Sequence, residues 1–90
     1  YFRRELEMKL KNLKGHLGFE FIELVFFDKD EDYLYLEVYK NEVENNGYYR
    51  CDDGAVEDEM FEKHGECEIE LMYDSFNHEL GENVLSIDLK

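Results

Sequence analysis

Three aspartates alternate in the stretch "DKDEDYLYLE", at Asp28, Asp30 and Asp32, the spacing with which a calcium loop presents its first oxygen ligands. A helix–loop–helix calcium site also needs a glycine at loop position 6 and a bidentate glutamate at position 12. Tyr33 and Tyr39 stand there instead, and the flanking residues read as strands rather than helices. The stretch is therefore expected to be a charged hairpin tip joining Phe27 to Tyr33. Cys51, Cys67 and His64 form the other metal-capable set, but they lack the paired CxxC or HxxxH spacing of a zinc site. Cys67 shares the alternation of Ile69 and Leu71 and reads as a small buried hydrophobe. A Cys51–Cys67 disulfide stays open as an alternative, with no sign of secretion to favour it. No metal or cofactor is expected.

Nucleophilic and acid–base chemistry find little support either. His16, His64 and His78 are scattered, and the chain has no nucleophile elbow, phosphate loop or metal-binding helix motif. Glu68 and Glu70 resemble a glycosidase dyad only in residue type. With 24 acids in 90 residues, such pairs arise by chance. No catalytic residue is assigned, and a non-enzymatic protein is expected.

The acids matter more as a field than as a catalytic pair. Against 24 Asp and Glu stand 10 Lys and Arg, a formal net charge of −14. Direct nucleic-acid binding depends on Lys and Arg at phosphates, so this balance argues against it; it also argues against an anionic membrane surface. No apolar run approaches the roughly 20 residues needed to span a bilayer, and no signal-peptide pattern is visible. Cytoplasmic is the default location. The charge is uneven. Arg3, Arg4, Lys9, Lys11 and Lys14 outnumber Glu5 and Glu7, so residues 1–19 carry +3 and the rest −17. Asp52, Asp53, Glu57, Asp58, Glu59, Glu62, Glu66, Glu68 and Glu70 lie in one stretch whose sole base is Lys63. Concentrated like charge opposes compaction but steers partners.

The elements that must position these residues follow from periodicity. Phe2, Leu6, Leu10, Leu13 and Leu17 recur at helical spacing, which predicts an amphipathic helix over residues 2–14 closed by Gly15. "GFEFIELVFF" is apolar on both alternations, as in a central strand covered on both faces. "YLYLEVYK" reads as a second strand, and Asn46-Gly47 as a hairpin leading to "YYRC". "DDGAVEDEMFEKHG" predicts a short helix over residues 55–64, acidic at its start and closed by His64 and Gly65. "ECEIELMYD" alternates with Cys67, Ile69, Leu71 and Tyr73 inward and Glu66, Glu68 and Glu70 outward. "NVLSIDLK" closes the chain with Leu85, Ile87 and Leu89 on one face, after a polar loop from Ser75 to Glu82. The expectation is a single α+β domain over residues 1–90, with a mostly antiparallel sheet of about five strands and two helices. Its order is α-β-β-β-α-β-β.

On this basis the chain is expected to be a small acidic binding protein with a basic protein partner. The logic is that of toxin-immunity proteins, antitoxins and nucleic-acid mimics, in which carboxylates occupy the surface a nuclease uses for phosphate. Acids two apart on a strand sit about 6.5 to 7 Å apart on one face, close to the scale of phosphate spacing. The expected partner-binding residues are the nine acids from Asp52 to Glu70 with Tyr48 and Tyr49 as aromatic anchors. The alternative is a structural protein that self-associates, basic helix to acidic sheet, with its other acids serving solubility. The sequence leaves the oligomeric state open.

Overall fold

The computed structural model describes residues 8–52 and 55–90, with no side-chain description at Asn45, Asp52 and Ala55 to Glu57. Six strands form one sheet: β1 Phe21–Asp28, β2 Tyr33–Glu42, β3 Gly47–Asp52, β4 Ala55–Glu59, β5 Ile69–Asn77 and β6 Glu82–Leu89. One five-residue helix, α1 Met60–His64, joins β4 to β5. The spatial order is β4-β3-β2-β1-β6-β5. Every neighbouring pair is antiparallel except β1 and β6, which run parallel with Leu24 beside Ile87.

This architecture corrects the expected α-β-β-β-α-β-β order. Where the amphipathic helix was expected, the described part contains only a 3-10 turn, Leu10–Leu13; residues 2–7 of that expectation lie outside the described residues. The backbone here bonds across the molecule rather than along itself. Leu10 N–H donates to Cys67 C=O at 2.9 Å, Lys11 N–H to Gly65 C=O at 2.9 Å, and Lys9 bridges Glu68. An isolated helix of this length is marginal in water, so such tertiary bonds can displace it. The leucine periodicity still marks burial: Leu10 is in the core, with Leu13 and Leu17 packed against it.

The second expected helix is also shorter than its pattern. Ala55–Glu59 pairs with β3 as a strand, and the helix starts only at Met60. Glu59 sits at the junction and caps it, its Oε1 accepting the Glu62 N–H at 2.9 Å. The Asp28–Tyr33 turn is the expected hairpin tip between two strands. Asp28 Oδ1 accepts the amides of Asp30 and Glu31, and Asp32 takes the left-handed conformation at φ 56°. The Asn46-Gly47 hairpin is present as well, through a 3-10 turn Val43–Asn45 and a left-handed Asn46.

One face of the sheet carries the core. Ile22, Leu24, Tyr39, Tyr48, Leu85, Ile87 and Leu89 point to it, and Leu10, Met60 and Phe61 cover them. The other face is open over much of its area. A register shift between Ile69 and Leu71 explains part of this. Ile69 lies opposite Leu89 on the core face, but Leu71 and Tyr73 lie opposite Asp88 and Ser86 on the far face. One bulge thus reverses the alternation, and the Leu71 and Tyr73 expected inward are exposed.

Candidate binding face

Two polar constellations stand out, one on each face. On the covered face Glu37, from the middle of β2, is 8% exposed. Its Oε1 accepts the Tyr39 hydroxyl at 2.7 Å and lies 2.9 Å from His64 Nε2 at the end of α1. Arg50 Nη1, from β3, is 3.6 Å from its Oε2. Burial pushes the Glu37 carboxyl up, but the hydrogen bonds from Tyr39 and His64 and the Arg50 charge outweigh it, leaving its pKa below the ordinary value. The Tyr39 hydroxyl is pushed up by burial and by the same carboxylate. The His64 ring packs against Phe26 at 4.9 Å and edge-on to Tyr39 at 6.4 Å.

A hydrogen-bonded His–Glu pair has the composition of an acid–base dyad. Here both Glu37 oxygens are engaged by side chains of the chain itself. The depression that His64 lines, about 290 Å³ between α1 and Lys11, does not reach Glu37. The cluster instead ties the end of α1 to the middle of the sheet.

The open face has the opposite character. Across β2, β1, β6 and β5, one row reads Leu36, Val25, Asp88, Leu71, and the next Val38, Glu23, Ser86, Tyr73. Leu34 beside Phe27 extends the apolar field toward the Asp28–Tyr33 turn. Leu34 is 60% exposed, Leu71 55%, Leu36 51% and Phe27 50%. Through this field runs a polar stripe. Glu23, only 9% exposed, accepts Asn77 Nδ2 at 2.9 Å and Ser86 Oγ at 3.2 Å. The Tyr73 hydroxyl donates to Asp88 Oδ1 at 3.2 Å, and burial followed by the Asp88 charge raises its pKa. Among the described residues no Lys, Arg or His forms an ion pair with Glu23 or Asp88. Glu23, buried and with both oxygens engaged, holds the sheet's own side chains together, whereas Asp88, set near exposed Leu and Phe side chains, makes a surface suited to Lys or Arg with apolar neighbours.

The residues expected to bind a partner are dispersed. Asp53 and the side chains of Asp52 and Glu57 lie outside the described residues. Glu59 is buried as the cap of α1, and Asp58 sits 3.6 Å from Lys63. Glu66 is held by Lys11 at 2.7 Å and Lys9 at 2.9 Å, which lower its pKa to about 2. Glu68 faces Lys90 at 3.7 Å. Glu62 and Glu70 are exposed. Tyr48 is buried edge-on to Phe61, its hydroxyl donating to the Phe19 carbonyl. Tyr49, half-buried, points with Lys40 to the open face.

Sequence reasoning passed over the open-face carboxylates, although a signal existed. A lone Glu23 within an apolar strand, and Asp88 two residues from Ser86 in another, are polar residues at positions a double-covered strand would keep apolar. Compared with protein-family models, curated proteins and solved structures, the chain matches none. Among the described residues no helix is long and apolar enough to cross a membrane.

Proposed function

We propose that this chain is a non-enzymatic, acidic binding protein that covers a basic surface of a protein partner, as an inhibitor of a nuclease or another nucleic-acid-binding protein would. The observation that carries this reading is the open sheet face. There Asp88, in no ion pair among the described residues, lies near exposed Phe27, Leu34, Leu36 and Leu71. Exposed apolar side chains gathered on one sheet face suit an interaction site, and the charge of −14 selects its partner's sign. A partner that grips phosphate must be basic where it does so. The acids between Asp52 and Glu70 strengthen the approach field, while the sheet face supplies the anchors.

Self-association has less in its favour. The Lys9 and Lys11 side chains that would have met a neighbouring acidic sheet are engaged by Glu66 of their own chain, and two copies at −14 repel.

The test is a capture from lysate with the wild type and a Leu36→Ser, Leu71→Ser variant at low and high salt. Both positions are exposed, so the variant is expected to fold. A basic nucleic-acid-binding protein enriched by the wild type alone, and weakened by salt, is the expected result. Identical captures by both proteins, or capture indifferent to salt, would remove the open face from the reading.

A further inference from the structure

We infer that the outer edge of β5 is a strand-addition site for an extended, cationic segment of the partner protein, which would join the sheet as its seventh strand. This rests on the reading above that the partner is basic, and adds how it is held.

The two edges of the sheet are not alike. β4 is five residues long, carries three consecutive acids and turns straight into α1, whereas β5 is nine residues long. Natural edge strands are guarded by shortness, charged side chains, Pro or bulges. β5 contains neither Lys nor Pro, and its charges are the two acids Glu70 and Asp74, which a cationic strand would meet rather than avoid. Its bulge lies at its first residues, leaving the run from Leu71 to Asn77 in regular pairing with β6. It exposes apolar side chains on both faces: Leu71 and Tyr73 on the open face, Met72 and Phe76 on the other. An added strand would therefore find apolar neighbours above and below, besides main-chain partners along the edge.

The start of β5 already shows the geometry. Ile69 N–H donates to the Met8 carbonyl at 2.8 Å, and Lys9 bridges Glu68 antiparallel. This edge accepts main chain where the molecule supplies it, and the described chain supplies it no further than Met8. Charge identifies the occupant. From Ile69 to Leu89 the sequence has five acids, Glu70, Asp74, Glu79, Glu82 and Asp88, and no Lys or Arg. A second copy pairing β5 to β5 would set these acids against their own kind, whereas a strand alternating Lys or Arg with apolar residues complements them.

The test uses the full 90-residue chain and a capped heptapeptide alternating Lys with Val. Two control peptides accompany it, one N-methylated at alternate amides and one with Glu for Lys. Hydrogen exchange, resolved by residue, is read with and without each. The Lys–Val peptide is expected to slow exchange at alternate β5 amides between Leu71 and Ser75 by about tenfold or more, and the N-methylated peptide to bind about tenfold more weakly, as loss of a few main-chain hydrogen bonds implies. The Glu peptide should not bind. Equal binding of the N-methylated peptide would overturn strand addition and leave the cationic-partner reading standing. Equal binding of the Glu peptide would overturn the cationic occupant. Edge amides fully protected in the free protein would show that the chain's own residues fill the site. Failure of the Lys–Val peptide to bind also overturns the inference, while the lysate capture decides the broader reading separately.

Discussion

Glu37 shows how a carboxylate in this acid-rich chain becomes structural. Its depressed pKa is a statement about stability. A carboxyl whose folded value lies below its unfolded value, here ordinarily 4.5, stabilises the fold above that value. The contribution is lost as pH falls through the lower folded value. Glu37→Gln should therefore cost about 1–3 kcal/mol at pH 7, since it removes the buried carboxylate that the Tyr39 hydroxyl and the His64 ring bond. Its stability should also fall less steeply than that of the wild type on acidification below pH 4.5. Urea unfolding at a series of pH values measures both. Parallel curves for the two proteins would mean that Glu37 titrates alike folded and unfolded. Nothing in the sequence distinguishes Glu37 from its neighbours: "YLYLEVYK" gives it the alternation of Tyr35 and Tyr39. Its importance comes from His64, 27 residues away, and only the fold brings the two together.

At the scale of elements, the junction of α1 with the Leu10–Leu13 turn is closely packed. A Cβ added at Gly65 would lie 2.2 Å from the Phe61 carbonyl oxygen and 3.2 Å from Lys11 Cβ. Main chain cannot yield there as a side-chain tip would. Gly65→Ala should destabilise by about 2 kcal/mol, a fall in Tm of about 10 °C. A thermal melt tests it, and an unchanged Tm would mean that the junction has room to relax. The sequence marks this glycine correctly as the end of a helix but places the start of that helix five residues early. "AVEDE" has acids suited to a helix start, yet it pairs with β3, because an edge strand tolerates the same residues. The strands from Phe21 to Lys40 and from Asn83 onward are legible because their patterns are uninterrupted. β5 is legible as a strand but not in its facing. A bulge leaves no mark in a hydrophobic pattern, and past it every residue changes side. The N-terminal leucines signal burial without signalling a helix: a buried stripe can be met by a 3-10 turn whose amides bond elsewhere.

For the molecule as a whole, charge dominates. At −14, with the local pairs Lys9–Glu66 and Lys90–Glu68 on the surface, self-repulsion exceeds what exposed ion pairs return. Stability should rise as sodium chloride goes from about 20 mM to about 0.5 M, where the screening length shrinks to a few Å. A Tm that falls across that range would show that the surface pairs, not the repulsion, prevail. The parallel contact between β1 and β6 has a different kind of consequence, one of time. β6 lies in the interior of the sheet, between β1 and β5, yet it is the last of the six strands to be synthesised. While the chain is being made, β1 to β4 can pair as successive hairpins, but β1 keeps one edge bare until residues 82–89 have left the ribosome. The keystone arrives last, so during synthesis the half-built sheet exposes the most apolar strand of the protein to whatever else is folding nearby.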